Sequence, residues 1–251
     1  MLERYFIELS YLGTHYHGWQ VQPNAVTVQQ KLNESFEIFF KTQNMLTGCG
    51  RTDTGVHAKI FFAHIDLDLD AINFPLEQLA YKLNCILPND ISIHRIFKVN
   101  KEAHSRFDAN ARTYEYHIST KKDVFRKELS YFIPFRDVDY ELMNEAAQII
   151  KEYTDFESFS KTGTDVKNFK CKIEMAEWKK IEEGYWVFTI RANRFLRNMV
   201  RAIVGTLLEV GREQMSLDEL RKVIESKNRS MAAWSVPAKG LFLAKVEYPY
   251  L

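Results

Sequence analysis

The amino-acid sequence predicts an α+β protein made of two successive βαββαβ units. Three observations predict it. Strand-like runs fall at 3–11, 59–68, 91–99, 113–118, 171–181, 185–191 and 241–248. Between them lie stretches whose apolar residues recur at helical intervals. The order strand–helix–strand–strand–helix–strand in the first half then recurs in the second with longer connections. Each half has the order of a ferredoxin-like split motif. No sequence repeat accompanies it; the doubling is in element order alone.

In the first strand Tyr5, Ile7, Leu9 and Tyr11 share one face. A polar, aromatic loop bounded by Gly13 and Gly18 follows. Thr27 and Gln30 have capping-box spacing, and Val28, Leu32, Phe36, Phe39 and Phe40 form the helical stripe behind them. A short strand near 45–49 leads into a glycine loop, and 59–68 leads out. Pro75 opens a second helix carrying Leu76, Leu79, Ala80 and Leu83, and 88–90 ends it. In the second half Asp139 caps a helix with Leu142, Ala146, Ile149 and Ile150. A helix is expected from about 194 to 210, stopped by Gly211. Ser216 and Glu219 cap one more before the last strand.

Composition narrows the function classes. The chain is 251 residues long, 46% hydrophobic and 27% charged, so it can bury a core. No apolar run approaches the roughly 18 residues of a membrane span, and the first residues lack the pattern of a signal peptide. Three scattered cysteines fit reduced thiols in the cytoplasm and no metal-type pairing. Neither a Gly-rich phosphate loop nor a dinucleotide fingerprint is present. Net charge is only +1, so an RNA-binding surface must come from local clustering.

The chemistry-bearing candidates are few. Residues 48–58, Gly-Cys-Gly-Arg-Thr-Asp-Thr-Gly-Val-His-Ala, put Arg51, Asp53 and His57 into a segment with three glycines. By composition an Asx-type turn at Asp53 is the commoner reading. The alternative is a carboxylate kept ionised by Arg51 and His57, acting as nucleophile or general base. Arg194, Arg197 and Arg201 are spaced three and four apart, which on one helix makes a single stripe. Arg201 lies among apolar residues and needs an anionic partner, either a carboxylate such as Asp53 or an RNA phosphate. Tyr114 and Tyr116 face one side of a strand, as core residues or as base-stacking ones. The seven histidines form no metal set.

Residues 50–58 resemble the signature of the tRNA pseudouridine synthase A family. So do 11–20, 83–88, Arg106-Phe107 with 112–116, 195–201 with Gly205, and 240–243, in family order over nearly the whole chain. The resemblance implies two ferredoxin-like halves, 1–103 and 104–251, sharing a central, largely antiparallel sheet. It implies isomerisation of uridine to pseudouridine at positions 38 to 40 of the tRNA anticodon stem-loop, without a cofactor, by a homodimer. In that reading Asp53 is the nucleophile, Arg51 displaces or holds the target nucleotide, Tyr114 stacks on the flipped uracil and Arg201 pairs with Asp53. Three positions depart from the family: Leu12, where aspartate is usual; Thr154, before Asp155-Phe156; and Cys171, where arginine is expected. A tandem RNA-binding module without catalysis and an N-glycosidase releasing free base are the competing readings.

Overall fold

The computed structural model describes residues 1–41, 45–134, 138–163 and 166–251. It shows a mixed α+β chain with largely antiparallel strand pairing and, among the described residues, five α-helices. The chain divides into two compact units, residues 1–110 with 243–251, and residues 111–242.

The first unit contains β1 (Glu3–Tyr11), α1 (Val28–Phe40), β2 (Thr47–Gly48), β3 (His57–Leu67), α2 (Leu76–Asn84) and β4 (Ile91–Lys98). Strand β1 pairs antiparallel with β3 on one side and β4 on the other, and β2 adds to β3. Tyr5, Ile7, Leu9 and Tyr11 are buried as their alternation predicts. Phe6 is equally buried on the opposite face, its ring 5.4 Å from Tyr248 and 6.1 Å from Phe97. Both faces of this strand are therefore covered, which a single alternating stripe does not reveal.

Helix α1 begins where expected. The Thr27 hydroxyl accepts from the Gln30 N–H at 3.3 Å, but the Gln30 side chain turns to Glu34, so only half of the capping box forms. The first helical N–H groups, of Val28 and Gln29, donate instead to the carbonyls of Gly18 and Trp19. Helix α2 ends at Asn84, ahead of Pro88. The Asn84 amide brackets the Ile93 backbone with two 2.8 Å bonds, which ties the helix to β4.

The second unit contains β5 (Ala111–Ser119), β6 (Tyr131–Phe132), α3 (Tyr140–Lys151), β7 (Ile173–Glu182), β8 (Tyr185–Ala192), α4 (Met199–Gly211) and α5 (Leu217–Glu225). Strand β8 pairs antiparallel with β5 and β7, while the short β6 runs parallel to β5. Asp139 caps α3 through the Leu142 N–H at 2.9 Å, and Ser216 and Glu219 form the full capping box of α5. The last strand, β9 (Leu241–Glu247), has its residues from 243 onward in the first unit, beside β3.

Helix α4 corrects the sequence reading twice. It starts at Met199 and not near 194, because Asn198 takes a left-handed φ of 66° and breaks the run. Arg194 and Arg197 precede the helix, so the predicted arginine stripe does not form. Gly211 is the last helical residue rather than a left-handed stop. Its role is close packing: a Cβ there would sit 2.5 Å from the Met143 side chain and 3.0 Å from the Asp139 carbonyl.

The same helix carries residues 232–236 against it. The Ala233 N–H donates to Thr206 Oγ1 at 3.2 Å, and the Val236 N–H to the Arg201 carbonyl at 3.2 Å. At Gly205 a Cβ would lie 1.9 Å from the Trp234 carbonyl oxygen. Gly205→Ala must therefore push that segment off the helix, and a loss of about 2 kcal/mol or more is expected in urea unfolding. Gly50→Ala, with nothing within 4 Å of the new methyl, should stay within about 0.5 kcal/mol. Equal midpoints for the two variants would refute the packing account.

In the first unit a buried histidine pins the entry to the glycine loop. His64, on β3 opposite Thr47, is 7% exposed. Its Nδ1 meets the Ser105 hydroxyl at 2.9 Å and accepts from the Ser105 N–H at 3.2 Å, while Ser105 Oγ donates to the Thr47 carbonyl at 2.7 Å. Burial, then the charges of Arg4 and His104, push the His64 imidazole down to about 4. An unfolded chain takes up this proton near pH 6.5, the folded one only near 4. The histidine therefore leaves stability intact above pH 6.5 and lowers it as pH falls from 6.5 to 4. Unfolding free energies from urea titrations across that window should fall with a slope of up to about 1.4 kcal/mol per pH unit, and His64→Gln should flatten it. An unchanged slope in the variant would assign the pH dependence elsewhere.

Candidate active site

The glycine loop is held from below by its neighbours in sequence. Gly48 pairs with Ala63, and the Cys49 N–H donates to the Phe62 carbonyl at 2.7 Å. Trp19 and Phe61 stack 4.1 Å apart beneath it, and a Cβ on Gly48 would enter the Trp19 ring at 2.5 Å. The loop then alternates. Arg51 is exposed, Thr52 is buried and Asp53 is half-buried. Thr52 is the anchor: its hydroxyl bonds Tyr11 Oη at 2.8 Å, and its carbonyl accepts from the Trp19 N–H at 3.3 Å. The Val56 N–H donates to the Asp53 carbonyl at 3.1 Å, closing a turn whose third residue, Gly55, has φ 78°.

The loop from Gly13 to Trp19 fixes this turn from its other side. The Gly55 N–H donates to the Tyr16 carbonyl, and the Gly13 N–H donates to His57 Nδ1 at 2.9 Å. A Cβ on Gly13 would lie 2.0 Å from the Val56 carbonyl oxygen. One on Gly18, at φ 84°, would lie 2.2 Å from the Thr52 carbonyl oxygen and 3.2 Å from the Asp53 carbonyl carbon. Tyr16 is locked in turn by a 2.5 Å bond from its hydroxyl to Asp90, and burial, then that bond, raises its phenol above the ordinary range.

His57 has a different place from the one its sequence position suggests. It is fully buried, and its Nδ1 accepts a backbone hydrogen bond. A ring nitrogen that accepts carries no proton, so His57 serves as a strut between the two loops rather than as a second cation.

Tyr114 and Arg201 belong to the second unit. Tyr114 lies on β5 opposite Ile190, half-buried, with Phe195 meeting its ring edge-on at 5.0 Å and 85°. Tyr116, on the same face, is a core residue: it is fully buried, and its hydroxyl donates to the Pro237 carbonyl at 2.8 Å. Burial raises its phenol far above the usual range. The core reading holds for Tyr116, while Tyr114 is left half-buried. Arg201 lies in the first turn of α4, half-buried, and its Nε donates to the Val236 carbonyl at 2.7 Å. Asn198 at the helix cap donates to Ser235, which also accepts from Arg229, so the start of α4 is tied to residues 235 and 236.

Sequence reasoning missed three contributors. Phe195 is the ring that supports Tyr114, hidden by assigning 194–198 to a helix. Gly13 and Gly18 are the contact points of the clamp, visible only as loop boundaries in the sequence. Thr154 and Cys171, which depart from the family pattern separately, are neighbours: the Cys171 N–H donates to the Thr154 carbonyl at 2.8 Å. Cys171 is buried, and burial pushes its thiol up to about 11. Leu12 is 45% exposed, with its N–H bonded to the Asp90 carbonyl.

Comparison with known proteins follows the same lines. A family model described as tRNA pseudouridine synthase matches residues 151–249. The chain is 51% identical over 248 residues to the tRNA pseudouridine synthase A of Bacteroides fragilis, covering 99% of this chain and 97% of the relative. It is 48% identical over 251 residues to that of Porphyromonas gingivalis, with 99% and 98% covered. To that of Thermosipho melanesiensis it is 37% identical over 251 residues, with 98% and 99% covered. Similarity of this extent spans both units and every segment described above, and the chain belongs to the tRNA pseudouridine synthase A family of isomerases.

Proposed function

We propose that this chain isomerises uridine to pseudouridine in the anticodon stem-loop of tRNA, at positions 38 to 40, with Asp53 as the nucleophile. The observation that carries the reading is the setting of Asp53. It is half-buried between a buried threonine and a glycine turn, with two loops fixing its backbone, in a chain of this family. The reaction breaks the bond between ribose C1′ and uracil N1, turns the base and joins C1′ to C5, from which a proton leaves. Nothing is added or removed overall. A single carboxylate suffices because no water has to be activated, and water must be kept out lest it capture the ribose.

The remaining residues have complementary tasks. A uridine within a stem must leave the stack before its glycosidic bond can be reached, and unstacking costs a few kcal/mol. Arg51, exposed beside Asp53, fills or holds the vacated place. Tyr114, its ring fixed by Phe195, receives the uracil face. Arg201 pairs with Asp53, keeping the carboxylate ionised and aimed. The proposal extends to architecture: ferredoxin-like halves over 1–103 and 104–251 share one central sheet, and the enzyme works as a homodimer in the cytoplasm. Among the described residues no helix is long and apolar enough to cross a membrane.

The test uses unmodified tRNA transcripts tritiated at uridine C5. The native enzyme should release tritium to solvent, and Asp53→Asn should abolish release while still binding tRNA. Free uracil in place of released tritium would mean a glycosidase. Undiminished release by Asp53→Asn would remove the aspartate from the chemistry.

A further inference from the structure

The pair Arg106-Phe107 belongs to the sequence pattern but has no task in the chemistry above. The structure places it in a turn, 104–108, of the first unit. That turn is fixed from within. Asp108 accepts from the His104 N–H at 2.7 Å, the Asp108 N–H returns to the His104 carbonyl at 3.1 Å, and His104 Nδ1 accepts from the N–H groups of Arg106 and Phe107. It is also fixed from without. Tyr250 donates to Asp108 at 2.9 Å, and Tyr248 donates to the Ser105 carbonyl at 2.5 Å. Ser105 Oγ donates to the carbonyl of Thr47, the first residue of the short strand that leads into the Asp53 loop.

On this rigid turn Phe107 stands 74% exposed. Its ring lies 4.3 Å from that of His104, and the Arg106 guanidinium sits over it at 5.6 Å. A large apolar ring held in water by so many backbone bonds is placed for something outside the chain. Tyr250, bonded to the same turn through Asp108, is 46% exposed. A guanidinium over an aromatic ring matches a nucleotide, which offers one π-face and one phosphate.

We propose that Phe107 is a stacking platform for a second nucleobase of the tRNA, distinct from the target uracil, with Arg106 beside it for the adjoining phosphate. The proposal rests on RNA being the substrate. Because every base has a π-face, the contact adds affinity and registers the RNA against the Asp53 loop through the Ser105–Thr47 bond, without choosing a base.

Three measurements on the full chain test it. In steady-state tritium release, Phe107→Ala and Phe107→Leu should raise KM for tRNA roughly 10-fold or more and leave kcat within about 2-fold. Phe107→Trp should keep the native KM. Titrating tRNA into Phe107→Trp should quench a tryptophan emission component that the native protein lacks. An unchanged KM in Phe107→Leu, or no added quenching at saturating tRNA, overturns the proposal. A shift in the sedimentation of Phe107→Leu without RNA also overturns it, since the ring would then pack against a second copy of the chain. The titration needs no turnover, so it decides on Phe107 even where tritium release shows that the isomerase reading itself has failed.

Discussion

The candidate site depends on one steric constraint, the close passage of the Gly13–Trp19 loop across residues 52–56. Two glycines lie where any side chain would strike a backbone carbonyl, at 2.0 Å from Val56 and 2.2 Å from Thr52. This contact lets the Tyr16 carbonyl reach the Gly55 N–H, the Trp19 N–H reach the Thr52 carbonyl and His57 reach the Gly13 N–H. The same loop then supplies carbonyls for the first N–H groups of α1. A segment rich in glycine would otherwise sample many conformations, at an entropic cost on ordering of about 1–2 kcal/mol per residue. Here it is held at one, and the half-buried Asp53 is held with it.

On the proposed reading of Asp53 as the nucleophile, placement supplies most of the advantage, since a well-oriented nucleophile avoids the entropic loss of a bimolecular encounter. The second unit follows the same logic by other means. Phe195 fixes the plane of Tyr114 through an edge-on contact, and the Val236 carbonyl takes one donor of Arg201. Gly205 admits the 232–236 segment that makes this possible. In both units glycines mark the points where backbone approaches backbone, and the charged residues stand next to those points.

How much of this the sequence disclosed varied with the range of the interaction. Local signals were legible: the caps at Thr27, Asp139 and Ser216, the alternation of Tyr5 to Tyr11, and the two strands around Gly184 all reappear in the structure. The start of α4 was not, because 194–198 has helical spacing and its interruption comes from Asn198 in a left-handed conformation, held by Ser235. Gly211 resembled a stop signal, but its reason is the Met143 side chain on α3. His57 entered one sequence reading as a second cation beside Asp53, because nothing in the sequence announces the Gly13 N–H that it accepts from. The candidate residues were thus singled out through the family resemblance, whereas the contacts that hold them are made between distant segments.

The measurement that tests the central claim most directly is the turnover of Gly18→Ala, compared with its stability and its affinity for tRNA. The added methyl cannot coexist with the Thr52 carbonyl as placed, so the loop carrying Asp53 must move by an ångström or so. Misplacement on that scale costs on the order of 100-fold in rate. The account predicts a fall of about that size in kcat for a variant that remains folded and binds tRNA as the native chain does. A folded variant with native kcat would contradict it, showing that the clamp between the two loops does not position the chemistry.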